Sequence, residues 1–272
     1  MPVIKAGAFD LDYTDVGAGP AVVLIHCSAS GHRQWRHLME ALQERYRLIA
    51  VNLFGYGKTS PWPDDRPLTF VDQVALIEAA VALAPEPVAL VGHSLGGAVA
   101  FEAAARMGSR VRMLIAFEPI LFYLLKAHGP ASAYQEISHI SAGYIERATR
   151  GDWTAVGEWF VDYWSGPGAW AAMPDERKAN TLPLLPPVAN EWRMMEAEGT
   201  HTLAEFGAVA CPVHLITAAD SRAPTREVVR LLHATYPAWR MHEIATGGHM
   251  APLARPDLVN PLITAALDGT SR

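Results

Sequence analysis

From its first residues to about Pro119 the chain alternates short β-rich runs with longer stretches whose apolar residues recur at helical spacing. That pattern predicts a mostly parallel sheet flanked by helices, an α/β fold. The expected strands are Ala8–Tyr13, Val22–His26, Arg47–Leu53, Val88–Val91 and Arg112–Glu118, with helices over Gln34–Arg45, Phe70–Leu83 and Ala98–Met107. After Pro119 the pattern breaks: residues 120–206 are rich in Trp, Tyr, Ala and Pro and carry no strand-like alternation. It then resumes with a strand at Val213–Thr217, a helix at Thr225–Tyr236, a strand at Trp239–Ala245 and a helix at Pro256–Leu267. Because the alternation continues beyond the break, the chain reads as one core, residues 1–119 and 207–272, with a mainly helical cap inserted at 120–206.

A length of 272 residues suits one such domain with an insertion, and with 50% hydrophobic residues it can bury a large core. The net charge of −6 is spread along the chain with no Lys/Arg block of the kind that neutralises phosphates, so nucleic acid is not an expected partner. Of the two cysteines, Cys27 follows an apolar run and Cys211 precedes Pro212; both read as reduced thiols, which points to a cytoplasmic protein. The N-terminal Met-Pro-Val-Ile-Lys-Ala-Gly lacks an apolar signal region, and no apolar run approaches the roughly 20 residues that span a bilayer. Neither secretion nor a membrane partner is expected, and monomer and homodimer both stay open.

The chemistry begins at Gly92-His93-Ser94-Leu95-Gly96-Gly97, between the apolar run Val88–Val91 and the helix-forming stretch from Ala98. A serine on a strained strand-to-helix turn, flanked by glycines that remove clashing side chains, presents its hydroxyl as a nucleophile. A serine hydroxyl needs a neighbouring base to take its proton. Among the 11 histidines, His249 stands in Gly247-Gly248-His249-Met250, just after the last expected strand, where a loop can reach over the C-terminal edge of the sheet. An oxyanion would need two backbone N–H donors. Leu95, directly after the nucleophile, supplies one; the loop His26-Cys27-Ser28-Ala29-Ser30-Gly31 supplies the other, with Ser28 preferred and Cys27 as its alternative.

With these motifs in this order, the chain resembles the α/β-hydrolase family over essentially its whole length. The matching residues are His26 at a strand end, Asn52-Leu53-Phe54-Gly55-Tyr56-Gly57-Lys58-Thr59-Ser60, the turn around Ser94, and Gly247-Gly248-His249. Cys27 stands where the family commonly has Gly, and Asn52 where Asp is frequent. The resemblance implies a triad acid at one of two places, and both hold a carboxylate. Glu118 ends the strand Arg112–Glu118 and is favoured; Asp220, in Thr217-Ala-Ala-Asp-Ser221, is the alternative.

A serine nucleophile excludes the family's branches that need an aspartate, leaving acyl transfer to water with no metal or organic cofactor. The cap's aromatic residues Trp153, Trp159, Phe160, Tyr163 and Trp164, with Phe122, Tyr123, Leu124 and Leu125 opening the insertion, imply an apolar pocket, for which His93, Phe122, Trp153, Trp159, Tyr163 and Trp164 are the candidate lining. The expected substrate is a small hydrophobic or aromatic ester. A thioesterase, a carbon–carbon hydrolase, a lyase and a non-catalytic ligand-binding protein on the same fold are the alternatives, since fold alone does not fix chemistry.

Overall fold

The computed structural model describes residues 2–63, 65–197 and 201–269. Its strands are β1 (Val3–Ala6), β2 (Phe9–Val16), β3 (Ala21–Ile25), β4 (Arg47–Val51), β5 (Val88–His93), β6 (Val111–Phe117), β7 (Val213–Ala218) and β8 (Arg240–Ile244). They form one sheet in the order β1-β2-β4-β3-β5-β6-β7-β8. β1 and β2 pair antiparallel, as do β2 and β4, and every pairing from β4 to β8 is parallel.

The central strands are apolar without alternation because both faces of the sheet are covered. In β3, Val23 and Ile25 enter one core while Val22 and Leu24 enter the other. Helices α1 (Arg36–Leu42) and α12 (Pro256–Leu267) pack on the second face through Leu38, Leu42, Val259 and Ile263. Helices α2 (Phe70–Val81), α3 (Leu95–Met107) and α10 (Ala223–Thr235) cover the first through Val74, Ile77, Phe101 and Val228. Between β6 and β7 the described residues hold helices and no strand: α4 (Tyr123–His128), α5 (Ala131–Thr149), α6 (Trp153–Ser165), α7 (Ala169–Ala172), α8 (Asp175–Thr181) and α9 (Pro186–Glu196), with 3-10 turns at Leu182–Leu184 and Glu205–Ala208. A short α11 (Ala251–Ala254) follows β8. Among the described residues no helix is long and apolar enough to cross a membrane.

The structure adds β1 to the expected strands and moves several boundaries. β1 has four residues of which only Ala6 is buried, so it carries no alternation to read. α3 opens at Leu95 rather than Ala98, its first turn disguised by the poor helix formers Gly96 and Gly97. The helix expected from Gln34 begins as a 3-10 turn, His32–Trp35, and α1 ends at Leu42.

What matters for function is where the strand order reverses. From β3 the chain moves to β4 on one side, then returns across β3 to β5 on the other. The connections after β3 and β5 therefore leave the C-terminal edge in opposite directions and open a crevice, the usual ligand position in an open parallel sheet.

Candidate active site

Ser94 follows β5 and caps α3 with φ 57° and ψ −117°, a left-handed conformation rare for a residue with a side chain. The turn closes only because its neighbours are glycines. A Cβ at position 92 would lie 2.2 Å from the Gly96 carbonyl oxygen, and one at position 96 would lie 2.2 Å from that of Ile25. Both obstacles are backbone, so neither yields. Gly96→Ala is expected to cost roughly 1–3 kcal/mol or more, a fall of about 3–10 °C in Tm for a domain of this size, read by thermal denaturation.

Ser94 is 4% and His249 3% exposed. The Ser94 hydroxyl lies 2.8 Å from His249 Nε2, and His249 Nδ1 lies 2.7 Å from Glu118 Oε2. Glu118 is fully buried at the end of β6; its other oxygen accepts from the Thr217 hydroxyl (2.8 Å) and the Ala218 amide (2.9 Å). Burial pushes the Glu118 carboxyl up, yet the hydrogen bond and charge of His249 and the Ala218 amide outweigh it and hold the carboxyl below its usual range. An ionised Glu118 fixes the imidazole proton on Nδ1 and leaves Nε2 free to accept from Ser94.

Asp220 lies elsewhere in this network. Its carboxylate accepts from the Thr246 hydroxyl (2.9 Å) and from the amides of Gly247 (3.0 Å) and Gly248 (2.8 Å), so it ties down the loop leading to His249 without touching the imidazole. The other end of that loop is held by His93, whose Nε2–H donates to the His249 carbonyl at 2.8 Å. Burial first, then the neighbouring His249, keeps His93 well below its ordinary pKa and therefore neutral.

The loop after β3 faces Ser94 across the crevice. His26 accepts the Leu53 amide at Nε2 (3.0 Å), which places its proton on Nδ1 to donate to the Cys27 carbonyl (2.6 Å). Burial lowers its pKa to about 4. The Cys27 amide donates to Gln34 Oε1 (3.1 Å) and the Ala29 amide to the Tyr56 hydroxyl (3.0 Å). Between two amides already engaged, that of Ser28 has no protein acceptor among the described residues. Leu95 opens α3, so its amide lacks an intrahelical acceptor as well. Of the two candidates in the loop, Ser28 rather than Cys27 keeps a backbone donor available.

A model of the alpha/beta hydrolase family matches residues 22–262. The chain belongs to the alpha/beta hydrolase family. This hydrolase is 36% identical over 117 residues to 2-hydroxy-6-oxo-2,4-heptadienoate hydrolase of Pseudomonas putida, a stretch covering 42% of each chain. It is 35% identical over 99 residues to pimeloyl-(acyl-carrier protein) methyl ester esterase of Aliivibrio salmonicida, covering 36% of each. The matched stretches thus span less than half the length of these relatives. The enol-lactonase from Burkholderia xenovorans LB400 shares the fold, with a TM-score of 0.78 over 98% of this chain and 100% of that one at 16% identity.

Above Ser94 the hydrolase has a cavity of about 140 Å³, walled by Ile120, Phe160, Trp164, Trp192, Met195 and Leu253, with Arg177 also on its wall. A wider, more polar groove of about 610 Å³, lined by Glu136, Tyr163, Arg222 and Gly248 among others, shares Trp164 and His249 with it. Trp164 lies against the His249 ring, centroids 4.3 Å apart.

Of the cap aromatics that imply the pocket, Phe160 and Trp164 line the cavity over Ser94; of the six candidate lining residues, Trp164 alone does. His93 lies beneath it, holding the His249 loop. Tyr163 faces the wider groove and donates to Glu136. Trp159 donates to the Ile140 carbonyl under the Arg147 guanidinium, Trp153 packs on the core, and Phe122 stacks on Trp192. The reason is helix phase: successive residues of α6 are about 100° apart, so turning Phe160 and Trp164 inward turns Trp159 and Tyr163 aside. Trp192 and Met195, on α9, carry no sequence signal for this role, because aromatic and apolar content alone does not give that phase.

Proposed function

We propose that this hydrolase cleaves small hydrophobic or aromatic esters through an acyl-enzyme intermediate. The observation that carries the reading is the unbroken buried relay Ser94–His249–Glu118, with bonds of 2.8 and 2.7 Å, beside two unengaged amides. Ser94 Oγ attacks the ester carbonyl as His249 Nε2 takes its proton, and Glu118 stabilises the imidazolium. Charge developing on the carbonyl oxygen is met by the Leu95 and Ser28 amides. His249 then protonates the departing alcohol, and a water deprotonated by His249 releases the acid and regenerates Ser94.

The apolar walls suit the acyl group, and the more polar groove suits the leaving alcohol. A cavity of about 140 Å³ compares with the roughly 150 Å³ that admits benzene in an engineered apolar cavity. On p-nitrophenyl esters, kcat/KM is expected to be highest for short-chain and benzoyl groups and to fall at least tenfold for long-chain acyl groups. A flat profile would remove the cavity from substrate selection.

The same residues serve carbon–carbon hydrolysis, and the likeness to the Pseudomonas putida hydrolase favours that second reading over the remaining alternatives. Assaying 2-hydroxy-6-oxo-2,4-heptadienoate beside the esters decides between them, because a kcat/KM a hundredfold above that of the best ester would reassign the substrate.

A further inference from the structure

Glu191, on helix α9, is 1% exposed and takes no part in the relay. Its Oε1 accepts from the Tyr56 hydroxyl at 2.7 Å, and the same Tyr56 oxygen accepts the Ala29 amide at 3.0 Å. Its other oxygen is buried with no hydrogen-bond partner, and so is the Ser28 hydroxyl. Ser28 is also the loop residue that faces this carboxyl. Ala29 has φ 51°, a conformation a non-glycine residue keeps only when its surroundings impose it. The β3 loop is thus pinned by Gln34 and His26 at Cys27 and by Tyr56 at Ala29, and the last pin hangs from α9.

We infer that Glu191 is a positioning residue coupling helix α9 to the oxyanion loop: through Tyr56 it holds Ala29, and through its free oxygen it faces Ser28, so that the Ser28 amide stays aimed at the carbonyl attacked by Ser94. This rests on the proposed reading in which that amide is an oxyanion donor. The neighbouring Trp192 and Met195 wall the cavity, so one helix sets both the pocket and the donor loop.

The protonation state follows from the surroundings. Burial first, offset in part by Ser28 and Tyr56, raises the Glu191 carboxyl to about 7. The titratable groups facing it are Tyr56 and Tyr144, both shifted up, and Cys27, pushed up to about 12; His26 lies against Tyr56 and is lowered to about 4. None of these is a cation at neutral pH. In its acid form Glu191 is uncharged and still accepts from Tyr56, and its second oxygen and the Ser28 hydroxyl it faces, both without partners here, can bond to each other by a small side-chain rotation. Ionisation above about pH 7 places a buried negative charge behind the loop that carries the Ser28 amide, which is expected to lower turnover.

The test uses Glu191→Ala, Glu191→Gln and Tyr56→Phe in the full chain. Thermal melts establish folding, and kcat and KM for a p-nitrophenyl ester are measured from pH 5.5 to 9. Wild type is also labelled with a fluorophosphonate. Glu191→Ala and Tyr56→Phe are expected to lower kcat roughly 10- to 100-fold, less than the 100- to 1,000-fold for deleting an oxyanion donor itself, with little change in KM. Glu191→Gln, whose amide both accepts and donates, restores most of the loss and removes the decline of wild-type kcat above pH 7. Should Glu191→Ala not fold, Tyr56→Phe decides alone, since phenylalanine keeps the packing. Active, labelled wild type with Glu191→Ala and Tyr56→Phe unchanged in kcat would overturn this inference only; so would a loss that Gln does not rescue. Wild type neither labelled nor active would overturn the proposed function and this inference with it.

Discussion

Ser94→Ala is expected to fold normally and to lose about 100,000- to 1,000,000-fold in kcat, the size of nucleophile removal in serine hydrolysis. The Ser94 side chain bonds to His249 and makes no capping bond to α3, so the fold loses little. Alanine also meets the same left-handed backbone as serine, adding no strain beyond what the turn already holds. What remains after substitution is the binding pocket and the amides of Leu95 and Ser28, which still leave a small rate above that in water. Purified protein with a melting curve like wild type, assayed at high enzyme concentration on the best p-nitrophenyl ester, checks it. A variant within tenfold of wild type would place the nucleophile elsewhere.

Glu118→Gln is expected to lower kcat by about 10,000-fold, or about 5 kcal/mol of transition-state stabilisation. Its size comes from geometry rather than lost charge alone. The amide oxygen goes where Oε1 now accepts from Thr217 and Ala218. The NH2 then faces His249 Nδ1 and donates to it, putting the imidazole proton on Nε2. In that tautomer the ring cannot accept the Ser94 proton. Asp220→Asn only weakens contacts to Thr246, Gly247 and Gly248, and a loss of about tenfold or less is expected for a loop adjustment of that kind. Turnover of both variants, after circular dichroism establishes folding, makes the comparison. A severe loss in Asp220→Asn with Glu118→Gln nearly intact would reverse the assignment.

These residues differ in how far the sequence alone exposes them. β3, β5 and the C-terminal half of β6 are buried on both faces, so they read as short apolar runs, and the residues at their ends fall at one edge of the sheet. Ser94 and Glu118 are therefore placed together once β5 and β6 are taken as parallel neighbours. His249 is legible for a related reason, since it follows the last strand. Between Glu118 and Asp220 local sequence is nearly neutral, because both follow a strand; which carboxylate meets the imidazole depends on the path of the loop after β8, which Asp220 itself fixes through Gly247 and Gly248.

The pocket and the Tyr56–Glu191 link were not legible for a different reason. Both depend on how α6 and α9 are rotated over the sheet, and α6, with aromatic residues on several sides, carries no unique inward face. Tyr56 stands within a loop already recognisable in the sequence, but Glu191 lies 135 residues further on, and nothing local marks a glutamate on α9 as buried. β1 leaves no mark in the sequence, because four residues with a single buried side chain carry no period.

The central claim is that Ser94 forms a covalent bond during turnover with His249 as its base. Intact-mass analysis after incubation with a fluorophosphonate, followed by peptide mapping, tests it most directly. A single adduct on Ser94 is expected, formed at a rate that collapses in His249→Ala and slowed by prior saturation with a good ester substrate. An active enzyme that acquires no adduct, or whose adduct maps to another residue with Ser94 unmodified, would contradict it.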